Sequence, residues 1–393
     1  GLTGRRPEPR RAGLANLRDE AGLLLDQALV LWFPGPHTAT GEDLAELHLH
    51  GGRAVVAAVE AALGRCSGLR KAEPGEFTRR AFANGRIDLA EAEGLADLLE
   101  AETELQRATA LAAAGGALSC QVEGWRERLL TLSAQVEAAL DFADEDDVGG
   151  VPESFGRSLS ELAREIERAL AAPSAEALRE GYRVALAGPR NAGKSTLFNA
   201  LLESDAAIAT PIPGTTRDVL ERPVSIAGVP LTFVDMAGLR EASADPVEAI
   251  GVARAEAEIT RADLVLWLGP EGVGPDGAWE IEPQADRPDR LIKRTARHRV
   301  SAVTGEGLDD LRRDLVAHAR EALPKPGSVA LNRRQRDLIT EASAALSEAR
   351  APANLLIVAE NLRAVRLAFD RLTGRSPTED VLDTLFGRFC IGK

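Results

Sequence analysis

Cysteine is scarce: three residues, Cys66, Cys120 and Cys390, stand in a chain of 393. They are too few and too scattered for a disulfide framework or a zinc site, which fits a reducing cytoplasm. His48 and His50 lack a cysteine or further histidine at ligand spacing, so they are structural or substrate-facing rather than metal ligands. No apolar run approaches 18 residues and no signal peptide is visible, so neither a transmembrane helix nor a membrane partner is expected. Positive charge is also in deficit. A formal net charge of −14 argues against non-specific nucleic-acid binding, and any RNA must meet a local basic patch or arrive with a second protein. The acidic run Asp144-Glu145-Asp146-Asp147 reads as a solvated helix-end loop rather than a metal site. The chain opens on Gly1 rather than Met, and its first six residues have no strand pattern.

The informative residues are 188–195, Gly-Pro-Arg-Asn-Ala-Gly-Lys-Ser. An apolar strand-like run, Val184–Ala187, precedes them and a helical pattern opens at Thr196-Leu197-Phe198. That context is what a phosphate-binding loop requires. Backbone N–H groups over Asn191, Ala192, Gly193, Lys194, Ser195 and Thr196 can cradle phosphate oxygens. Lys194 reaches the β- and γ-phosphates as a catalytic cation, and the Ser195 hydroxyl can bind Mg²⁺. The alternative is a ligand-free Gly-rich turn, which leaves the agreement of loop, lysine, serine and flanks unexplained.

Further phosphate chemistry follows. Gly214-Thr215-Thr216-Arg217-Asp218 lies where a small GTPase carries its first switch, with Thr216 able to complete the Mg²⁺ shell. A second apolar run, Leu231–Val234, ends in Asp235-Met236-Ala237-Gly238, a D-x-x-G element. Asp235 can hold Mg²⁺ through water, and the Gly238 N–H can sense the γ-phosphate. Leu239 stands where Ras-type enzymes carry a water-orienting glutamine, so water must be positioned differently. Asn191 offers an oxygen to a monovalent cation, or else only caps the loop.

A guanine-reading N-K-x-D is missing between Asp263 and Ser301. Pro283-Gln284-Ala285-Asp286 keeps the carboxylate, so Asp286 is the favoured base reader over the rival Lys293-Arg294-Thr295-Ala296, which has none. Ser301-Ala302-Val303 resembles the S-A-K base loop, which places Ser301 and Ala302 at the nucleotide.

The chain of 393 residues, 45% apolar, can bury two or three cores. Residues 1–84 mix apolar runs such as Ala28–Phe33 with a helix near Ala54–Leu63, an N-terminal α/β domain. Residues 85–181 read as the first part of a helical domain. Val122, Trp125, Leu129, Leu132, Val136 and Leu140 form one apolar stripe at three- and four-residue steps. Two helices are expected before the acidic run and a third before Gly181. Residues 182–322 form the P-loop domain with a mainly parallel sheet. Pro324–Gly327 is a linker, and residues 323–393 return to helices. The P-loop domain is therefore inserted into a discontinuous helical domain.

Three motifs outside the P-loop domain make a resemblance specific. They are Thr40-Gly41-Glu42-Asp43-Leu44-Ala45-Glu46, the run Pro74–Leu89 that begins P-G-E-F-T and continues through A-F-A-N-G-R, and the terminal Cys390-Ile391-Gly392-Lys393. With the GTPase set between them, the chain resembles the bacterial tRNA-modification GTPases of the MnmE (TrmE) family over essentially its whole length. The resemblance implies an N-terminal folate-binding-like domain that makes a homodimer, a helical domain, and an inserted Ras-like GTPase domain. Family members begin with a strand and a folate-contacting arginine ahead of Gly1, so that segment is expected to be missing here.

The family's activity is GTP hydrolysis coupled to modification of the wobble uridine of certain tRNAs at C5. A carboxymethylaminomethyl or aminomethyl group is installed, the methylene that joins C5 coming from a folate one-carbon unit carried by a 5,10-methylene or 5-formyl tetrahydrofolate. A flavin- and NADH-dependent partner enzyme completes a heterotetramer. By resemblance, Glu46, Arg86 and Lys393 contact folate, Arg86 standing where the family usually has lysine. Cys390 is a packed small residue or a reactive thiol, and packing is favoured because nothing in the sequence lowers its pKa. The K⁺ ligands map to Asn191, Thr210, Ile212 and Thr215, and Glu248 orients the attacking water. Other readings are a ribosome-assembly GTPase acting as a binding switch, which shares G-T-T-R-D but lacks C-I-G-K, and a folate-binding scaffold with a degenerate nucleotide site.

Overall fold

The computed structural model describes residues 2–141, 151–203, 207–209, 220–235, 257–350, 354–376, 379–390 and 392. The chain divides into two compact units, Gly1–Ala96 with Asp370–Lys393, and Asp97–Phe369.

In the first unit, strands β1 (Gly13–Arg18), β2 (Leu24–Phe33) and β3 (Leu44–His48) form an antiparallel sheet in the order β1-β2-β3. Side-chain alternation sets its faces. Leu17, Ala28 and Val30 are buried and pack with Val59 of α1 (Arg53–Gly64). Leu14 and Leu29, paired across the strands, face outward and are exposed. The apolar run from Ala28 forms the end of β2, and α1 covers the expected helix. Helices α2 (Glu76–Ala83) and α3 (Leu89–Glu100) follow.

Next come α4 (Glu104–Ala114), α5 (Ala117–Asp141), α6 (Phe155–Ala171) and α7 (Ala175–Glu180). The described residues thus hold three helices before the acidic run and two between it and Gly181, where two and one were expected. Short-range capping explains the extra breaks. Thr103 and Gln106 form a reciprocal capping box that starts α4, and Ser174 accepts from the Ala177 N–H at 3.3 Å to start α7. The acidic residues 144–147 lie outside the described residues.

The α5 stripe is buried at Val122, Trp125, Leu129, Leu132 and Val136. Leu159, Leu162 and Ile166 of α6 are buried as well. The P-loop segment then interrupts the helices, which resume at α10 (Arg333–Ala349) and α11 (Leu355–Thr373). Asn332 and Gln335 make a second capping box that starts α10. Trp125 meets Phe369 of α11 at a ring separation of 5.9 Å. Each fully buried leucine of this core contributes about 1.5–3 kcal/mol.

Between α7 and α10 the chain builds a seven-stranded sheet. Its strands are β4 (Tyr182–Ala187), β5 (Ala207–Ala209), β6 (Leu220–Ile226), β7 (Val229–Asp235), β8 (Leu264–Trp267), β9 (Trp279–Glu282) and β10 (His298–Arg299). The order is β10-β9-β8-β4-β7-β6-β5. Pairs from β10 to β7 are parallel, and β6 is antiparallel to both β7 and β5. Every residue of β4 is buried, as befits a strand covered on both faces. Tyr182, Val184 and Leu186 join α8 (Lys194–Leu202) and α9 (Leu308–Ala322) in one core, while Ala185, Ala187, Val234 and Val265 form a smaller one on the opposite face.

The last helix, α12 (Glu379–Phe386), belongs to the first unit. Its Leu382, Leu385 and Phe386, with Phe389, pack on Leu89, Ala92 and Ala96 of α3. Gly75, at φ 70°, admits no side chain: a Cβ there would lie 2.2 Å from the Phe386 carbonyl oxygen. The Gly75 N–H in turn donates to the Cys390 carbonyl at 3.5 Å. The P-G-E-F-T segment and the C-terminal motif, distant in sequence, therefore meet.

Candidate functional site

The site is built where β4 ends. The chain must leave an apolar strand, reverse, and enter α8 with its first N–H groups free. Left-handed backbone at Asn191 (φ 61°) and Gly193 (φ 88°) makes that reversal. Gly188 passes so near the chain that follows β8 that a Cβ would lie 3.1 Å from the Gly269 nitrogen. Gly193 caps α8 without a side-chain bond, so the N-terminal amides and the positive end of the helix dipole are presented together.

Lys194, only 8% exposed, folds back over the loop. Its Nζ donates to the carbonyls of Pro189 at 2.7 Å and Gly188 at 3.0 Å. Ser195 Oγ donates to Asp235 Oδ2 at 2.8 Å, joining the loop to the end of the neighbouring strand β7. Asp235 is 2% exposed. A hydroxyl beside a buried carboxylate is the hard-oxygen donor pair that Mg²⁺ prefers, so these residues fit that ion.

On the other side of the loop, β9 ends at Glu282 and Pro283-Gln284-Ala285-Asp286 follows. The Ala285 N–H donates to the Val300 carbonyl at 3.0 Å, tying this element to the segment ahead of Ser301. The Ser301 hydroxyl, fully buried, donates to Asp286 Oδ1 at 2.6 Å and accepts from the Thr304 N–H at 3.1 Å. That bond holds the Asp286 carboxyl below its usual range, so an exposed carboxylate is kept ionised and oriented. Ala302 packs partly buried against the sheet core.

Gln284 was absent from the candidate residues. It sits at φ 56°, and its Nε2 donates to the Asn191 carbonyl at 3.2 Å. It thereby links the Pro283–Asp286 segment to the phosphate loop. Pattern matching against N-K-x-D passes over it, because glutamine offers a donor where the motif has an ammonium. The rival Lys293 is spent internally: its Nζ donates to Glu280 Oε2 at 2.6 Å and to the Trp267 carbonyl at 2.7 Å. The N–H groups of Arg294 and Thr295 bind the Glu271 carboxylate.

Thr210, Ile212, Thr215, Thr216, Gly238, Glu248 and Lys393 lie outside the described residues. In the first unit, Glu46 is exposed on β3 with His48 Nε2 3.1 Å away, and Arg86 Nε donates to the Thr38 carbonyl at 3.1 Å. His50 pairs with Asp26 at 2.8 Å. Among the described residues no group of three or more His, Cys, Asp and Glu could hold a metal ion.

Cys390 corrects an expectation. It is exposed rather than packed, because Phe386 and Phe389 fill the core while Cys390 contributes only its carbonyl. Nearby, Glu76 accepts from both Arg70 and Arg80, which pulls its carboxyl down to about 2. Arg80 also reaches Glu42 at 2.7 Å, and Asn84 Nδ2 donates to the Thr40 carbonyl at 2.8 Å. Two of the family-like motifs, T-G-E-D and P-G-E-F-T, are thus stitched together.

A mainly parallel sheet, a phosphate loop at the end of its central strand, a Ser–Asp pair beside it and an oriented carboxylate across from it define a Ras-like P-loop GTPase domain. Comparison with known proteins places that domain. A family model described as "MnmE helical domain" matches residues 89–390, and one described as "GTP-binding protein TrmE N-terminus" matches residues 2–86. The tRNA modification GTPase MnmE of Erythrobacter litoralis is 62% identical over 392 residues, covering 100% of this chain and 92% of the relative. Those of Novosphingobium aromaticivorans and Sphingopyxis alaskensis are 60% and 55% identical, each over 100% of this chain and over 92% and 97% of their own. The chain belongs to the MnmE (TrmE) family. Among solved structures, the G domain of the T. maritima FeoB iron transporter is 26% identical over 35% of this chain and 98% of its own, at a TM-score of 0.25.

Proposed function

We propose that this chain is a K⁺-activated GTP hydrolase of tRNA modification. With a flavin- and NADH-dependent partner enzyme, it installs a carboxymethylaminomethyl or aminomethyl group at C5 of the wobble uridine, using a folate one-carbon unit. The GTPase role in tRNA modification rests on family membership over the full chain. The observation that carries the nucleotide chemistry is the convergence of Lys194, the Ser195–Asp235 pair and the Gln284–Asn191 bond on one loop.

Lys194 exchanges the Gly188 and Pro189 carbonyls for β- and γ-phosphate oxygens. Ser195 and Thr216, with Asp235 through water, would hold Mg²⁺, which would neutralise charge on those oxygens. Asp286 accepts the guanine N1 and N2 protons, with Ser301 fixing its direction. Asn191, Thr210, Ile212 and Thr215 hold K⁺, which supplies the positive charge that an arginine finger provides elsewhere. Gly238 senses the γ-phosphate and Glu248 aligns the water, a task Leu239 cannot perform.

Glu46, Arg86 and Lys393 hold the folate in a homodimer made by the N-terminal unit. What supports that reading is family membership together with the meeting of P-G-E-F-T and the C-terminal motif around Gly75. No helix among the described residues is long and apolar enough to cross a membrane.

The test is reconstitution. The full chain, the flavin enzyme with NADH, unmodified tRNA, GTP, Mg²⁺, K⁺, methylene-tetrahydrofolate and either glycine or ammonium as the amine donor are combined, and the nucleosides are analysed by mass spectrometry. The reading expects a C5-substituted uridine that needs both GTP and folate. GTP hydrolysis without any modified uridine would favour the binding-switch alternative.

A further inference from the structure

Arg183 is an unexpected residue for the central strand of a doubly covered sheet. It is only 8% exposed, and its side chain leaves β4 on the face shared by Ala185 and Ala187. There it meets two carboxylates from different parts of the chain. One is Glu221 Oε1 of β6 at 2.7 Å, and the other is Glu258 Oε2 at 2.8 Å, in the helical residues 257–261. Glu258 is itself nearly buried, and its other oxygen pairs with Arg261 at 3.3 Å. The Arg183 N–H donates to Asp263 Oδ2 at 2.8 Å, and its Nε is buried with no hydrogen-bond partner among the described residues. The two carboxylates keep the guanidinium charged against its burial.

The partners' places in the sequence give this cluster a use. Glu221 comes just after Gly214–Asp218, the first switch motif. Glu258 comes just after the stretch that opens with Asp235–Gly238 and includes Glu248. β4 itself runs straight into the phosphate loop. We infer that Arg183 is a positioning residue for GTP hydrolysis, fixing with one guanidinium the points at which the chain leaves both switch motifs. Two partners, one in each of the described segments that follow a switch motif, tie both segments to the strand that carries the loop. Small misplacements of catalytic groups are costly, on the order of a hundredfold for about 1 Å.

This inference rests on the GTPase reading. Its test uses the full chain with Arg183→Met, Arg183→Lys, and Glu221→Gln and Glu258→Gln alone and together. Wild-type binding of a non-hydrolysable GTP analogue is measured first, since its absence would overturn the nucleotide reading instead. Arg183→Met is expected to bind that analogue within about twofold of wild type. It should hydrolyse GTP roughly ten- to hundredfold more slowly in a single turnover. Arg183→Lys should recover part of the rate, because it restores the charge without the fork. The double glutamine variant should lose less than the product of the single losses, because both carboxylates act through one guanidinium.

Hydrogen exchange without nucleotide covers a variant too weak to assay. Arg183→Met should speed exchange in both 220–226 and 257–261. A lower melting temperature with an unchanged hydrolysis rate, or faster exchange in only one of the two segments, would overturn the positioning role.

Discussion

Asp286→Asn isolates the base-reading step. The carboxylate is exposed, its Oδ1 already accepts the Ser301 hydroxyl at 2.6 Å, and an ionised carboxylate has about four acceptor sites, so capacity remains for a base. Guanine presents two N–H groups to it. Asparagine keeps one acceptor oxygen, turns the other position into a donor facing a guanine N–H, and removes the charge. Charge-assisted hydrogen bonds are roughly twice as strong as neutral ones, so losing one and weakening the other is expected to raise the Kd for GTP roughly a hundredfold. The new amide donor suits the O2 of xanthine, so XTP should bind the variant better than it binds wild type. Calorimetric titration with GTP, XTP and ATP reads both effects, and a melting curve without nucleotide should be nearly unchanged, since Ser301 can still donate to the amide oxygen. Unchanged GTP affinity would refute the reasoning and move base recognition to another residue or to the backbone.

Removing the ammonium by Lys194→Ala should lower GTP hydrolysis by about 10²–10³-fold in a single-turnover assay, the scale of losing one preorganised donor. Gln284→Ala should weaken nucleotide binding by roughly fivefold, about 1 kcal/mol for one neutral hydrogen bond, measured by the same titration. Glu76→Gln tests the motif network of the first unit. The Glu76 pKa is depressed from 4.5 to about 2, so its stabilising contribution is present above 4.5 and is lost as pH falls through about 2. The variant should therefore melt below wild type at pH 7, and the gap should close between about pH 4.5 and 2.

The parts of the fold with strong local signals were legible. Val184–Ala187 and Leu231–Val234 read as buried strands because both faces of the sheet are covered, and β4 and β7 contain them. The stripe from Val122 to Val136 read as a helix face because α5 buries one side. Helix number was not legible. Where α4 starts is set by Thr103 and Gln106, and where it gives way to α5 by the Gly115-Gly116 pair, within an alanine-rich stretch whose periodicity hardly changes. Gln284 was missed because its role depends on a carbonyl 93 residues away in sequence, which no local pattern encodes. The exposure of Cys390 depends on which neighbours fill the core, and Phe386 and Phe389 outcompete it by size. The role of Arg183 was not legible because its carboxylates lie 38 and 75 positions downstream.

A GTP hydrolase whose phosphate loop works with K⁺ should tell one alkali cation from another. The purified full chain is given saturating GTP and Mg²⁺, and phosphate release is followed at equal ionic strength in KCl and in NaCl. Turnover is expected in KCl and much slower turnover in NaCl, because the smaller ion fits the same oxygen cage poorly. Equal rates in the two salts, or no hydrolysis in either, would contradict it.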